Sequence, residues 1–357
     1  MSAARPAGIR PDHGLGPGLG GDKYALIEEN PFQDAPQEPL STFSIDVDTA
    51  SYSLVRMYLL DEATLPRPDA VRLEELINYF PYDYAPPPDG QPFAAHLEAA
   101  ECPWATKHRL VRIGIKGREI RLDKRPPCNL VFLLDVSGSM AEPNKLPLVQ
   151  QGMRLLANQL NENDRIAIVV YAEATELLLD STTGDRRSVI RDVLDDLHAD
   201  GSTNGGAGLQ LAYRVAQKHF VADGVNRVIL CTDGDFNVGV TGTDELVRMV
   251  TERAKSGVFL SVLGFGMGNH NDELLEQISN KGNGNYAFIH RGVFLHHLMC
   301  GLLEQCKIGL AHDGGIGIIH LLKEDVATYS FIGLFSKEFV YQDHFCKRRS
   351  GLCQRQG

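Results

Sequence analysis

Three oxygen-bearing side chains stand at alternate positions where an apolar run of the chain ends. The run NLVFLL, which begins at position 129, is followed by Asp135, Ser137 and Ser139. An apolar run of this kind is typical of a buried strand, so a carboxylate and two hydroxyls collect at the tip of that strand. Such residues commonly cap a helix or a turn, a role that accounts for one or two of them but not for a larger set.

Two further oxygen donors occur at comparable places later in the chain. Asp233 follows the apolar run RVILCT that begins at position 227, and Thr203 lies in the loop DGSTNGG just before a helix pattern. Ligands of an open α/β sheet bind beyond the carboxyl ends of its strands, so we expect Asp135, Asp233 and Thr203 to lie close together. Together with the two serines they form a set of five donors from three loops.

A set of two carboxylates and three hydroxyls suits a hard divalent cation. Mg²⁺ and Mn²⁺ take six oxygen ligands in octahedral geometry, with Mg–O distances of roughly 2.0–2.1 Å. Five protein donors, some of them acting through water, leave one position open, and two carboxylates balance the charge of the ion. The site is therefore predicted to remain electrophilic toward a carboxylate supplied from outside the chain.

The elements that must position these donors alternate between apolar runs and amphipathic segments. The predicted strands, each apolar on successive positions, are 130–134, 166–170, 228–231 and 258–263. The predicted helices are 146–160, 206–220, 243–254 and 272–279. Strand–helix alternation implies right-handed crossovers, so the predicted fold is α/β with a doubly wound, mostly parallel, Rossmann-like sheet.

The flanking parts of the chain have different patterns. Residues 1–30 are expected to form a flexible Gly/Pro-rich tail, and residues 31–127 are expected to form a smaller N-terminal α+β or β accessory segment. Its predicted elements are a strand at 42–47, a helix at 69–80 and strands at 93–99 and 108–115. The main domain is expected at 128–307, and the C-terminal segment, 308–357, has strand patterns at 316–321 and 329–334.

Composition excludes few functional classes. The 357 residues carry a net charge of −11, which weighs against nucleic acid binding because phosphate contacts rely on clustered Lys and Arg. The sequence has no run of 18 apolar residues, so no transmembrane helix is predicted. The 7 cysteines are odd in number and form no CxxC pair, which favours isolated thiols over a zinc site or a disulfide framework.

The five donors together resemble the metal-ion-dependent adhesion site of von Willebrand factor type A domains. Asp135-x-Ser137-x-Ser139, then Thr203, then Asp233 in a Thr-Asp-Gly stretch match that motif in type, order and approximate spacing, and the match covers 128–307. The resemblance implies that these residues hold Mg²⁺, Mn²⁺ or Ca²⁺ directly or through water, while an Asp or Glu of a protein partner completes the shell. No bond of the partner need break, so no enzymatic activity is expected.

Stretches outside the main domain are similar to a bacterial group of these proteins. They are ENPF at 29–32, PLSTFSIDVDTASYS at 39–53 and CPW at 102–104. In that group the type A domain lies between an N-terminal conserved segment and a C-terminal domain, and members are often exported to the periplasm or cell surface. Here no lipobox cysteine precedes Asn30, the N-terminus lacks a secretory apolar segment, and the last dozen residues depart from the group. The C-terminal segment is therefore expected to be truncated or divergent.

The resemblance also implies a moving part and leaves the partner open. In the family the last helix of the domain shifts when the ligand shell of the ion changes, and the corresponding helix here is 292–306. The partner could be an adhesion target or another subunit of a complex, since the two roles differ only in partner and location.

A second acidic motif supports an alternative function. The stretch FSIDVDT places Asp46 and Asp48 after an apolar strand pattern, as in the phosphatases of the haloacid dehalogenase type. In such a Mg²⁺-dependent phosphohydrolase Asp46 would be the phosphorylated nucleophile. The enzyme would also need a downstream Lys and an acidic pair at a strand end, whereas the adjacent pair Asp195-Asp196 falls in a helix pattern at 191–198. A structural role for Asp46 and Asp48 in caps or turns is the other interpretation.

Overall fold

The computed structural model describes residues 22–27, 32–34, 48–91, 93–106, 108–117, 125–201, 205–234, 243–266, 270–290, 328–336 and 340–342. In chain order the strands are β1 (Phe32–Asp34), β2 (Phe93–Glu101), β3 (His108–Gly117), β4 (Cys128–Asp135), β5 (Arg165–Tyr171), β6 (Thr175–Thr183), β7 (Val225–Thr232), β8 (Val258–Phe265), β9 (Tyr286–Ile289), β10 (Thr328–Ser336) and β11 (Val340–Gln342). The helices are α1 (Ala50–Leu60), α2 (Leu73–Asn78), α3 (Leu146–Ala157), α4 (Arg187–Asp195), α5 (Gly205–Lys218), α6 (Thr243–Lys255) and α7 (Asp272–Lys281).

A six-stranded sheet in the order β6-β5-β4-β7-β8-β9 forms the centre of the main domain. Strands β5, β4, β7, β8 and β9 pair in parallel, and β6 pairs antiparallel with β5 at one edge. Strand β4 is buried along its whole length, because successive side chains pack into core clusters on opposite faces. The predicted doubly wound, mostly parallel α/β fold is confirmed.

Helices cover both faces of this sheet, and their apolar side chains pack against those of the strands. Helices α3 and α4 pack into the cluster that contains Leu130, Phe132 and Leu134. Helices α5, α6 and α7 pack into the opposite cluster, and α1 from the N-terminal part of the chain packs there too. The carboxyl ends of the parallel strands therefore lie at one edge of a rigid, buried sheet.

A second, antiparallel sheet has the order β1-β11-β10-β3-β2 and combines strands from both ends of the chain. The predicted strands at 93–99, 108–115 and 329–334 correspond to β2, β3 and β10. The predicted strands at 42–47 and 316–321 and the helix at 292–306 lie outside the described residues. An accessory segment with a small sheet was therefore correctly predicted.

Several local predictions were wrong or incomplete. The helix predicted over 69–80 is a short 3-10 turn at Pro68–Ala70 followed by α2, because Val71 and Arg72 are extended. Arg72 turns inward and ion-pairs with Asp272 at 2.6 Å and with Glu75. The helix pattern at 191–198 corresponds to α4, which begins and ends a few residues earlier. Helix α1 and strands β6 and β9 were not predicted.

Three of the seven cysteines fall within the described ranges. Cys102, Cys128 and Cys231 are buried free thiols, and burial raises the pKa of the Cys231 thiol. The remaining four cysteines lie outside these ranges. No helix among the described residues is long and apolar enough to cross a membrane.

Candidate metal centre

Asp135 ends β4 as a fully buried carboxylate that accepts four hydrogen bonds. Its Oδ1 accepts from the amide of Ser137 at 3.0 Å and from the hydroxyl of Ser137 at 2.6 Å. Its Oδ2 accepts from the hydroxyl of Tyr171 at 3.0 Å and from the hydroxyl of Thr232 at 3.2 Å. Burial raises the pKa of Asp135, as does the neighbouring Asp233, whereas the bonds from Ser137 and Tyr171 oppose that rise. The carboxylate is thus held in one orientation by both adjacent strands.

The two predicted serine ligands are spaced as neighbouring ligands of one ion would be. The hydroxyl of Ser137 donates a hydrogen bond to Asp135, so the oxygen of Ser137 can serve another partner through its lone pairs. The Oγ of Ser139 lies 3.1 Å from the Oγ of Ser137, and the two hydroxyls share a hydrogen bond. Adjacent oxygens of an octahedron with bonds of 2.0–2.1 Å are about 2.9 Å apart. The hydroxyl pair therefore fits a small divalent cation.

Backbone hydrogen bonds join this serine loop to the loop that carries Thr203. The amide of Gly138 donates to the carbonyl of Gly201 at 3.1 Å, and the amide of Asp200 donates to the carbonyl of Val136 at 2.7 Å. Thr203 itself lies outside the described residues, so its place in the donor set stays a prediction.

Asp233 follows β7 and is paired with a lysine that the sequence interpretation missed. The ammonium of Lys145 lies 3.2 Å from Asp233 Oδ2 and donates to the carbonyl of Ser139 at 3.0 Å. Both residues are buried, with Lys145 5% exposed and Asp233 6% exposed. One cation thus connects the loop after β4 with the loop after β7. The sequence offered one signal, a lysine directly before the α3 pattern and six positions after Ser139.

A buried histidine supports the backbone at Asp233. His270 Nδ1 lies 3.3 Å from the carbonyl oxygen of Asp233, and its Nε2 hydrogen-bonds the hydroxyl of Tyr286. Gly234 has a φ of +94°, and a Cβ there would lie 2.3 Å from His270 Nδ1. The amide of His270 donates to Asp22 Oδ1 at 2.9 Å. The loop that carries Asp233 therefore rests on a histidine that is itself held by the N-terminal part of the chain.

Four of the five predicted metal ligands, Asp135, Ser137, Ser139 and Asp233, meet at the carboxyl edge of the sheet. The described residues contain no group of three His, Cys, Asp or Glu side chains that could hold a metal. A metal at this edge would depend on the serine hydroxyls as well as on the two carboxylates. The side chains that hold these donors in place were not predicted from the sequence. They are Tyr171, Thr232, Lys145 and His270.

The second acidic motif has a structural role in its described part. Asp48 is buried, and its Oδ1 accepts a hydrogen bond of 2.9 Å from the amide of Tyr286 in β9. Asp46 lies outside the described residues. Asp195 is the last residue of α4, so it does not stand at the end of a strand. The contact of Asp48 attaches the N-terminal part of the chain to the edge of the main sheet.

Comparison with known families gives two matches along the chain. Residues 129–295 match the sequence model described as "von Willebrand factor type A domain", and residues 19–112 match one described as "von Willebrand factor". The first of these ranges begins within β4 and includes every donor of the site.

Similar proteins extend beyond the length of this chain. It is 43% identical over 317 residues to "Uncharacterized protein YfbK" of Escherichia coli (strain K12), which covers 87% of this chain and 55% of that protein. It is 28% identical over 219 residues to "Uncharacterized protein sll0103" of Synechocystis, covering 61% of this chain and 50% of that protein. The chain thus spans about half the length of these curated relatives.

A solved structure titled "von Willebrand factor type A from Catenulispora acidiphila" is similar over 70% of this chain and 71% of its own. The sequence identity is 15% and the TM-score is 0.49.

The family of the chain follows from the match over 129–295 and from the doubly wound sheet that those residues form. The chain is a von Willebrand factor type A domain-containing protein with a bacterial homologue.

Proposed function

We propose that the chain is a divalent-metal-dependent protein-binding module. Asp135, Ser137, Ser139, Thr203 and Asp233 would hold Mg²⁺ or Mn²⁺, with Ca²⁺ as the third candidate, directly or through water. The observation that carries the proposal is the pair of serine hydroxyls 3.1 Å apart beside a buried carboxylate. An ion bound there would supply a Lewis-acidic position for an oxygen of the partner.

The hydrogen bonds around Asp135 assign separate tasks to the donors. Both oxygens of Asp135 already accept two protein donors each, so this carboxylate would act on the ion through water or through the polarised hydroxyl of Ser137. The serine oxygens would be the direct ligands. A partner carboxylate is the chemistry that fits the remaining position, because hard cations prefer charged oxygen ligands.

Nothing in the arrangement requires a reaction. The buried carboxylates are fixed by hydrogen bonds, and type A domains are commonly interaction modules. The phosphohydrolase alternative rests on Asp46, and the neighbouring Asp48 is engaged by a backbone amide in the described fold. We therefore propose binding, either in adhesion or in the assembly of a complex, as the function of the site.

The proposal can be tested with Mn²⁺ and a minimal acidic probe. Paramagnetic broadening of the proton resonances of an acetylated Gly-Asp-Gly amide reports binding of its carboxylate next to protein-bound Mn²⁺. We expect broadening with the wild type that exceeds that of the Gly-Asn-Gly probe and is lost with Asp135→Ala. Equal broadening of the Asp and Asn probes, or no binding of Mn²⁺ by the wild type, would contradict the proposal.

A matched variant controls for unspecific effects of removing an acid. Asp195→Ala removes a carboxylate that is exposed and pairs with Arg154 on the protein surface. Mn²⁺ binding and probe broadening should be the same in this variant and in the wild type. Loss of both in Asp195→Ala would mean that the probe senses surface charge and not the site.

A further inference from the structure

The presence of a lysine at position 145 is not explained by helix α3, which begins directly after it. It is the N-cap residue of α3, and its side chain makes no capping hydrogen bond. The N-terminus of a helix carries a partial positive charge, so a lysine is electrostatically unfavourable there, and Ser, Thr, Asp or Asn is preferred. Its placement therefore serves something other than the stability of α3.

The path of the Lys145 side chain toward the site is shaped by a glycine. Gly266 follows β8 with a φ of +65°, and a Cβ at this position would lie 2.2 Å from Lys145 Cε. Any larger residue would collide with the aliphatic part of the lysine. The left-handed glycine and the buried stem together direct the ammonium to Asp233 and to the carbonyl of Ser139.

The charges at the site change sign when an ion binds. Among the described residues at the site, Asp135 and Asp233 carry a formal −2 and Lys145 a formal +1, which gives −1 without metal; a divalent ion would change this sum to +1. Glu142 lies 3.8 Å from the ammonium but is 65% exposed, so solvent screens its charge. Without the lysine the loaded site would be neutral. The lysine thus leaves the loaded site one positive charge, which a single carboxylate neutralises.

We propose that Lys145 is a built-in counter-cation that makes metal binding depend on an acidic partner. This inference rests on the proposed function and specifies its energetics. Repulsion between the ammonium and the ion weakens binding of the metal alone, and the same ammonium strengthens binding of a carboxylate to the loaded site. Because coupling between two ligands is reciprocal, the partner's carboxylate raises the affinity for the ion by the factor by which the ion raises the affinity for the carboxylate.

The test compares Lys145→Met with the wild type and with Lys218→Met. Methionine keeps most of the buried stem and removes the charge. Lys218 is 61% exposed and pairs with Asp180 at 3.0 Å, so its removal controls for the loss of a lysine. Binding of Mn²⁺ alone is measured by the loss of the free-ion signal in electron paramagnetic resonance, and binding of acetate to the loaded protein is measured by proton relaxation.

We expect Lys145→Met to bind Mn²⁺ about tenfold or more tightly than the wild type and to bind acetate more weakly once loaded. Lys218→Met should match the wild type in both measurements. Unchanged or weaker Mn²⁺ binding by Lys145→Met, with wild-type binding intact, would overturn the inference alone. Absence of binding in both proteins would overturn the proposed function as well.

A second readout separates this role from that of a plain structural ion pair. In EDTA, Lys145→Met removes the ammonium that pairs with the buried Asp233, so its melting temperature should fall below that of the wild type. Saturating Mn²⁺ should then raise the melting temperature of Lys145→Met more than that of the wild type. An equal Mn²⁺-induced shift in the two proteins would show that the lysine is structural only and would overturn the inference.

Discussion

The hydroxyl of Tyr171 donates a hydrogen bond of 3.0 Å to Asp135 Oδ2, between residues that are register partners at the carboxyl ends of β5 and β4. The tyrosine is fully buried, and burial together with the charge of Asp135 raises the pKa of its hydroxyl. It therefore stays a proton donor at neutral pH. Through this bond the neighbouring strand fixes the carboxylate on which the candidate metal centre is built.

Tyr171→Phe should lower the stability of the fold. The change removes a hydrogen bond to a buried charged group, which typically contributes about 1.5–3 kcal/mol. We expect the free energy of unfolding in EDTA, measured by urea titration, to fall by about 2 kcal/mol. Tyr213→Phe is the control, because the Tyr213 hydroxyl is buried and has no hydrogen-bond partner among the described residues. That variant should keep the wild-type stability or gain up to about 1 kcal/mol, and a larger loss there than in Tyr171→Phe would contradict the account.

Gly234→Ala should damage the loop that carries Asp233. A Cβ at Gly234 would lie 2.3 Å from His270 Nδ1, whereas at Gly90, which also has a positive φ, no atom lies within 4 Å. Gly90→Ala should therefore cost only the strain of the left-handed conformation, about 1–2 kcal/mol. Gly234→Ala should cost about 2 kcal/mol more through overpacking and should weaken Mn²⁺ binding. Urea titrations and Mn²⁺ titrations of both variants measure this, and equal effects of the two substitutions would refute it.

The attachment of the N-terminal part of the chain depends on Arg72. This arginine is 3% exposed, ion-pairs with Glu75 and makes two hydrogen bonds to Asp272 at the start of α7. Arg72→Met removes the buried positive charge that lies between Glu75 and Asp272, so we expect a loss of about 3–5 kcal/mol. Arg67→Met removes the more exposed pair with Asp69 and should cost less than about 1 kcal/mol. Similar losses in the two variants, measured by thermal or urea unfolding, would contradict the role assigned to Arg72.

Alkaline pH should destabilise the fold through its buried tyrosines. Burial raises the pKa of Tyr213 above its usual value of 10.0. The unfolded chain therefore loses this proton first as the pH rises, so the folded state binds more protons and stability falls from about pH 10 upward. Between pH 9 and 11, Tyr213→Phe should lose about 1.4 kcal/mol less than the wild type. Urea midpoints at the two pH values test this, and equal losses in both proteins would show that Tyr213 does not contribute.

The sequence predicted the structure best where a periodic pattern of apolar residues ends in side chains that carry oxygen. The run before Asp135 is apolar at every position because β4 is covered on both faces, and α3, α5, α6 and α7 follow the helical period closely. Oxygen-bearing residues at the ends of such strands were therefore sufficient to predict that four side chains lie together at one edge of the sheet, whereas their binding of a metal stays a prediction.

What escaped prediction depends on tertiary contacts. In the sequence, Tyr171 is simply the last residue of a strand pattern, and Lys145 resembles a solvated residue before a helix. Only the fold brings the two side chains into contact with the carboxylates. Helix α1 was not predicted, and its buried residues, including Leu54 and Met57, pack into a core cluster of the main domain that is far from them in the sequence. Arg72 shows the same effect, since its pairing with the distant Asp272 interrupts the predicted helix at 69–80.

The most direct test of the central claim is thermal unfolding of the wild type and Asp135→Ala across a titration with Mg²⁺ and Mn²⁺. An ion at 100 times its dissociation constant adds about 2.7 kcal/mol to the stability of the state that binds it. We predict a concentration-dependent rise in the melting temperature of the wild type, retained by Asp195→Ala and absent from Asp135→Ala. No rise in the wild type, or the same rise in Asp135→Ala, would contradict a metal centre at the carboxyl edge of the sheet.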